Sequence, residues 1–510
     1  MNYIIMRRIL CTTLLAILTL PAPLFSQSAD FINGKVINSQ TSGPVPFATL
    51  KLMIHNLGVY ANADGDFKIL LDKRFETDSL IITCIGFERK VISFNSLVKS
   101  QINTILLKPS TYALSEVKVT QSRRKLKPEQ IVKKAVENIS KNYSFKPFSY
   151  IAYYRDYQKK DETYINLNEA IIQTYDTGFY YNDFFNRYAL LDYKENTDFI
   201  RKNITPYYDR KNKSIPIATL PDQGGNEMLI LFAHDALRNY KSRSFSFVDI
   251  FSKDFISNHN FSEITAVIND NILLYKIKFN ALYKLTEDTL QFGGDIYIQP
   301  KNYAIHKIDY TGYYMPKGRE KKEMFNVKIE YGYDNRIDNV LHLKYISFNN
   351  LFNFYDTAAH FRISKISMYP SDNLSVIVDF NNKIDFASAS KQATYKLIFG
   401  RNQAKIKDIS VGDRRVIIKL NEGQDLKGNP VIDIKDIKDT DGNLLNEGSN
   451  VEYYQYRELF VQEYNKPIML KDTCYLENKP LKENPVSGYA GEKKYWMNTP
   501  INVKKQDQMK

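Results

Sequence analysis

Two hydrophobic periodicities run along this chain. Between Lys127 and Tyr143, "KPEQIVKKAVENISKNY" sets Val132, Val136, Ile139 and Tyr143 on one stripe at helical spacing. Lys133, Lys134, Glu137 and Lys141 face elsewhere, and Pro128 suits a first helical position. Most of the remaining pattern has period two. "FSYIAYYRDY" and "ETYINLNEAIIQTY" read as a hairpin turning near Glu162. That register puts Arg155 opposite Glu169, which predicts a cross-strand ion pair inside aromatic strands. A meander follows: "ILLYKIKF", "LQFGGDIYIQ", "YAIHKIDYTGYY", "MFNVKIEYGYD" and "VLHLKYISFNN". The pattern predicts a large antiparallel sheet with one helix packed on its concave face. A shorter helix is expected in "GGNEMLILFAHDAL", after Gly225.

Near the start, "GKVINSQTSGPVPFATLKLM" reads as strand, turn and strand, with the turn at Thr41-Ser42-Gly43-Pro44. "GVYANADGDFKILL" follows, and its Asp64-Gly65 pair suits a hairpin turn with positive φ. "DSLIITCIGFERKVI" ends an apolar run at Gly86-Phe87, and "TILLKPSTYALSEVKVT" closes the set. In this order the four segments resemble the carboxypeptidase D regulatory-like domain, common in cell-envelope proteins of the Bacteroidetes type. The resemblance implies a small transthyretin-like β-sandwich and no activity.

Three kinds of protein carry that module. Zinc carboxypeptidases need a His-x-x-Glu pair and a distant His. None of His55, His234, His259, His306, His342 and His360 has a Glu three positions on. TonB-dependent receptors need a plug and a barrel of roughly 22 strands, for which too little chain follows. Exported proteins with an uncharacterised β-rich domain behind the module fit best.

A later block, "NLSVIVDFNNKIDFASASKQATYKL", "AKIKDISVGDRRVIIKL" and "VIDIKDIKDTDGNLLNEGS", resembles the bacterial Ig-like domain through Phe380, Asp385, Tyr395 and the turn Asp439 to Asn443. Ile437 stands where a calcium-hand loop needs its first Asp, so the turn reads as an Asx-type turn. "YYQYRELFVQEY" and "YWMNTPI" then return to the aromatic strand style. The expected fold is mainly β and multidomain. A signal peptide (1–27) precedes an N-terminal β-sandwich (28–110) and a linker (111–127). A discontinuous antiparallel-sheet α+β domain (128–370 and 451–510) then carries an inserted Ig-like β-sandwich (371–450).

Charge and composition narrow the function. Arg7 and Arg8 precede the apolar run "ILCTTLLAILTLPAPLF", with cleavage expected near Ser26 to Ala29. Cys11 lies too early in that run for a lipid anchor. Beyond it the longest apolar run is "MLILFA", far short of the ~20 residues of a spanning helix. No transmembrane span is expected in the mature chain. The net charge of +13 is dispersed apart from "RRKLK" and "GREKK", and no nucleic-acid motif accompanies it. Adjacent tyrosines such as Tyr153-Tyr154 point to opposite faces of a strand, so they read as packing rather than a sugar platform. Cys84 and Cys474 remain in the mature chain, with nothing in sequence to pair them. No nucleophile elbow, P-loop, zinc signature or dinucleotide fingerprint occurs. No catalytic, cofactor-binding or metal-ligating residue is therefore assigned, and no cofactor. The expectation is a non-catalytic envelope protein of the periplasm or cell surface that binds a partner protein or surface polymer. One alternative is a carrier of a lipid or other hydrophobic ligand, since Gly294 to Lys307 resembles strands of periplasmic lipoprotein-carrier folds. The other is an unrecognised hydrolase.

Overall fold

The computed structural model describes residues 30–501 apart from 56, 100, 113–125, 161–162, 199–226, 245–249, 283–288, 316–317, 319, 335–337, 357–358, 370–371, 425, 478 and 490–494. The apolar leader, most of the expected linker, the Glu162 turn and most of "RRKLK" lie outside the described residues.

Seven strands build the first unit: β1 (Phe31–Asn38), β2 (Thr49–Leu52), β3 (Gly58–Tyr60), β4 (Asp66–Leu70), β5 (Ser79–Thr83), β6 (Lys90–Ser93) and β7 (Asn103–Leu107). They form two sheets, β4-β1-β7 and β3-β2-β5-β6. Alternate residues turn inward, as a half-buried strand requires: Ile32 and Val36 of β1, Leu50 and Leu52 of β2, Phe67 and Ile69 of β4, Leu80 and Ile82 of β5. The β3–β4 turn is the expected Asp-Gly turn. Asn62 Oδ1 accepts the amides of Asp64 (2.8 Å) and Asp66 (2.9 Å), and Gly65 has φ 77°. A side chain there would meet the Val36 carbonyl oxygen at 2.6 Å.

The second unit begins with β8 (Thr111–Tyr112), which leaves the first and pairs with β12 (His259–Asn269). The expected module end at 110 thus falls against a strand of the next unit, because the exit segment hydrogen-bonds into it. The other strands are β9 (Phe148–Lys160), β10 (Thr163–Asp176), β11 (Arg187–Glu195), β13 (Ile272–Ala281), β14 (Leu290–Ile298), β15 (Ile305–Tyr314), β16 (Lys322–Tyr333) and β17 (Leu341–Asp356).

A third unit follows, with β18 (Ile363–Tyr369), β19 (Asp372–Phe380), β20 (Tyr395–Phe399), β21 (Asn402–Gln403), β22 (Ile406–Val411), β23 (Arg415–Leu420) and β24 (Pro430–Ile434). These make sheets β18-β19-β23-β22 and β21-β20-β24 around a separate core. That core begins earlier than the boundary expected at 371. Phe361 is fully buried in it and stacks on Phe380 at 5.1 Å, and β18 pairs with β19. Asp439 makes the anticipated Asx turn, its Oδ1 accepting from Asp441 N (3.0 Å) and Asn443 N (2.9 Å).

The chain then returns as β25 (Ser449–Asn465) and pairs with β17 from Ser449↔Asp356 to Phe460↔Tyr345. The large sheet has the order β11-β10-β9-β25-β17-β16-β15-β14-β13-β12-β8, and its pairings are antiparallel.

Helices cover one face of this sheet. In α1 (Pro128–Glu137) Ile131, Val132, Ala135 and Val136 are buried. The helix expected to run to Tyr143 stops at Asn138, whose Nδ2 donates to the Lys134 carbonyl (2.7 Å), and restarts as α2 (Ile139–Asn142). Where one packed helix was expected, α3 (Glu227–Ala233) and α4 (Asp254–Asn258) share the same core through Met228, Leu231, Phe232 and Phe255. Helices of five and seven residues are too short to show a stripe in sequence.

Because Asp356 and Ser449 sit opposite each other, a short Gly/Ser turn replacing residues 357–448 should close a plain β17–β25 hairpin. The shortened chain should stay soluble and protease-resistant, with the melting transition of the other two units kept. General protease sensitivity would show that the third unit supports them.

Candidate functional site

The opposite face of the large sheet receives the first unit. Phe47 and Tyr60 of that unit meet Tyr153, Tyr345 and Phe460 of the sheet in one buried cluster. The Phe47 ring stacks on Tyr345 at 4.3 Å, and Tyr60 lies 5.9 Å from Phe460. Phe47 holds φ 60°, a conformation that costs a bulky residue about 1 kcal/mol or more. Burial of the ring against Tyr345 offsets that strain. At the rim, Asp64 accepts from Tyr164 Oη (2.6 Å) and Lys159 Nζ (3.2 Å). Burial pushes the Asp64 carboxyl up, but these two donors outweigh it and hold it below the usual range.

A C-terminal segment locks this junction. Trp496 is buried in the core of the first unit and donates Nε1 to the Lys68 carbonyl (2.6 Å). Asn498 Nδ2 donates to the Tyr60 carbonyl (2.7 Å), and Gln462 Nε2 donates to the Trp496 carbonyl (2.8 Å). The expectation that 451–510 belongs to the β-rich domain therefore needs correction at its end. An indole in a foreign core leaves no local signature in sequence.

Arg155 and Glu169 stand opposite each other, as the hairpin register requires. They are not an ion pair. The Arg155 guanidinium turns to its other neighbour, Glu458 of β25, and both are fully buried. Its charge also lies 4.9 Å above the Tyr157 ring. Glu169 is filled by neutral donors: Tyr153 Oη (2.7 Å), Asn196 Nδ2 (2.7 Å) and Thr499 Oγ1 (3.1 Å). Two of those donors lie outside the hairpin, which is why the hairpin alone suggested the wrong partner.

Two more arginines are buried on the helix side. Arg457 pairs with Glu227 at the start of α3 and donates Nη1 to Asn350 Oδ1 (2.8 Å). Asp156, nearby, accepts from Asn168 Nδ2 (2.9 Å), and burial together with the Glu227 charge pushes its carboxyl up to about 7. Arg238 pairs with Asp176 (2.9 Å) and donates to Asn186 Oδ1 (3.0 Å). Asp235 accepts from Tyr331 Oη (2.6 Å), and burial raises it to about 6. Sequence reasoning missed Arg457, Glu458, Arg238 and Asp176. Their one visible signal was charge within or beside aromatic strands.

The histidines are dispersed. His55 contacts Asp78 at 2.9 Å, His306 contacts Gln299 Oε1 at 3.3 Å, and His342 contacts Asp338 at 2.8 Å. His234 stacks on Phe348 at 3.6 Å, and His259 contacts Tyr310 Oη at 3.2 Å. The His360 carbonyl accepts from Asn381 Nδ2 (2.8 Å). Burial pushes His234 down to about 3 and His259 and His306 down to about 4, so these rings are neutral near pH 7. Cys84 and Cys474 are not bridged, and burial raises the Cys84 thiol to about 12. Among the described residues no group of three or more His, Cys, Asp or Glu is arranged to hold a metal ion. No described helix is long and apolar enough to cross a membrane.

The module's two-sheet geometry and its Asp-Gly turn agree with the family comparison. Residues 32–119 match the CarboxypepD_reg-like domain. Nothing among curated proteins or solved structures matches the chain. The CarboxypepD_reg-like domain spans β1 to β8, so its last strand is already part of the large sheet.

Two substitutions probe the junction. Glu458→Gln should cost about 3–5 kcal/mol in urea unfolding, because Arg155 stays charged and buried without its partner. The double variant Arg155→Met/Glu458→Leu should recover most of that loss. A cost below about 1 kcal/mol for the single change would mean the pair is solvated. Trp496→Ala should cost about 3–5 kcal/mol and speed amide exchange in β1 and β4 of the CarboxypepD_reg-like domain. Unchanged exchange there would show that the indole does not support that core.

Proposed function

We propose that this chain is a non-catalytic binding or scaffolding protein of the cell envelope, exported by its apolar leader to the periplasm or cell surface of a Bacteroidetes-type cell. In this reading the third unit is Ig-like, and with the CarboxypepD_reg-like domain it presents binding faces held apart by the large sheet. One observation carries the proposal. The space between helices and sheet is filled with side chains: Val132, Ile139, Leu231 and Phe255 are fully buried with Ile277, Ile296, Ile308 and Ile329. Such packing favours a rigid frame over a carrier, which needs an apolar cavity of roughly 300–1,000 Å3. The buried carboxylates and imidazoles act as hydrogen-bonded structural groups, which favours the same reading over a hydrolase. A partner protein or a surface polymer is the expected ligand.

Photo-crosslinkers placed at exposed Met53 of the first unit and Val431 of the third should give discrete adducts in intact cells. Organic extraction of the purified chain should yield no stoichiometric acyl chain. A bound lipid at one per chain would move the assignment to the carrier. Crosslinking that yields only a diffuse background at both positions would remove the scaffold.

A further inference from the structure

Two loops leave the large sheet side by side at one end. Ser149 of β9 pairs with Tyr175 on one flank and with Asn465 on the other. β10 and β25 therefore run out of the sheet level with each other, ~10 Å apart. The loop after β10, residues 177–186, carries Tyr180, Tyr181, Phe184 and Phe185, all exposed; Phe184 is 79% exposed and Tyr180 68%. The loop after β25 carries exposed Ile468 and Met469, the latter 64% exposed.

These apolar groups are held on a built framework. Arg238 donates to the Tyr181 carbonyl from beneath, and Asn239 Oδ1 accepts the Asp183 amide (3.2 Å). Asn182 Oδ1 accepts the Phe184 amide (3.2 Å), and Asn186 Oδ1 accepts the Thr177 amide (3.0 Å). In the second loop Ser149 Oγ accepts the Ile468 amide (2.8 Å), and Tyr475 Oη accepts the Leu470 amide (2.7 Å). Arg187 ties the two segments together through Asp472.

The charge around this tip has one sign. Lys146 lies against the first loop, its carbonyl 2.9 Å from where a Gly178 Cβ would sit. Lys466 and Lys471 flank Ile468 and Met469, and all three lysines are exposed. Asp472 is engaged by Arg187, and Asp183 is buried.

We propose that this end of the sheet is a peripheral docking surface for a lipid bilayer bearing anionic headgroups. Phenylalanine, tyrosine, isoleucine and methionine on fixed loops would enter the headgroup and acyl boundary, while the lysines meet the phosphates. The exposure decides against a protein groove. Protein hot spots sit in well-packed pockets of matched shape. Rings standing almost wholly in solvent suit a fluid partner that moulds itself around each protrusion. The surface stands independently of the scaffold reading, since a bilayer contact needs neither the first nor the third unit.

Vesicle co-sedimentation tests it, using the exported chain with its N-terminus confirmed by mass to lie beyond the leader. The parent should bind vesicles of equal parts phosphatidylglycerol and phosphatidylcholine, and more weakly vesicles of phosphatidylcholine alone. Tyr180→Ser/Phe184→Ser/Phe185→Ser should lower partitioning by about tenfold or more, with an unchanged melting temperature because the rings make little intramolecular contact. Lys466→Glu/Lys471→Glu should lower binding to the anionic vesicles by about tenfold and leave the neutral ones little changed. Failure of the parent to bind, or equal binding by the serine variant, overturns the proposal. Dimerisation of the parent in sedimentation velocity, abolished by the same serines, overturns it in favour of a protein contact. In all these cases the crosslinking result at Met53 and Val431 is unaffected.

Discussion

A long antiparallel sheet with aromatic side chains on both faces cannot leave either face in water. Antiparallel sheets commonly bury one face and wet the other. Here neighbouring residues such as Tyr153 and Tyr154 are both fully buried, on opposite sides. The rest of the architecture follows from that demand. Short helices from three separate stretches cover one face. The CarboxypepD_reg-like domain, together with the C-terminal segment around Trp496, covers the central strands of the other. The domain is thus part of the fold of the next unit, and β8 continues it into the sheet.

Burying both faces also traps charge. Strands this wide carry arginines and carboxylates in their interiors, and each must find a partner or lose its charge. Arg155 with Glu458, Arg457 with Glu227, and Arg238 with Asp176 are that solution, one on the domain side and two on the helix side. Asp156 and Asp235 show the other response, their carboxyls driven upward by burial. Buried pairs of this kind add little net stability, but they punish the wrong register. The contrast with the sheet's end is physical. Inside, polarity is consumed in pairs; at the Tyr180 and Met469 loops, a buried Arg238 network is used to hold apolar groups outward.

The sequence by itself determined the period-two strands, the α1 stripe, the Asp-Gly and Asx turns, and the resemblance of the first unit to a known module. All of these depend on contacts within a few residues or on an ordered local motif. It also placed Arg155 opposite Glu169, since hairpin register follows from the turn. Tertiary structure decided what register could not. Glu458 lies some three hundred residues from Arg155, and Thr499 and Asn196 fill Glu169 from elements that no local pattern joins to the hairpin. The start of the third unit at Phe361, the break at Asn138 and the burial of Trp496 in a distant core were hidden for the same reason. The energy that fixes them comes from burial and pairing between segments far apart in the chain, and a sequence shows only which groups need partners.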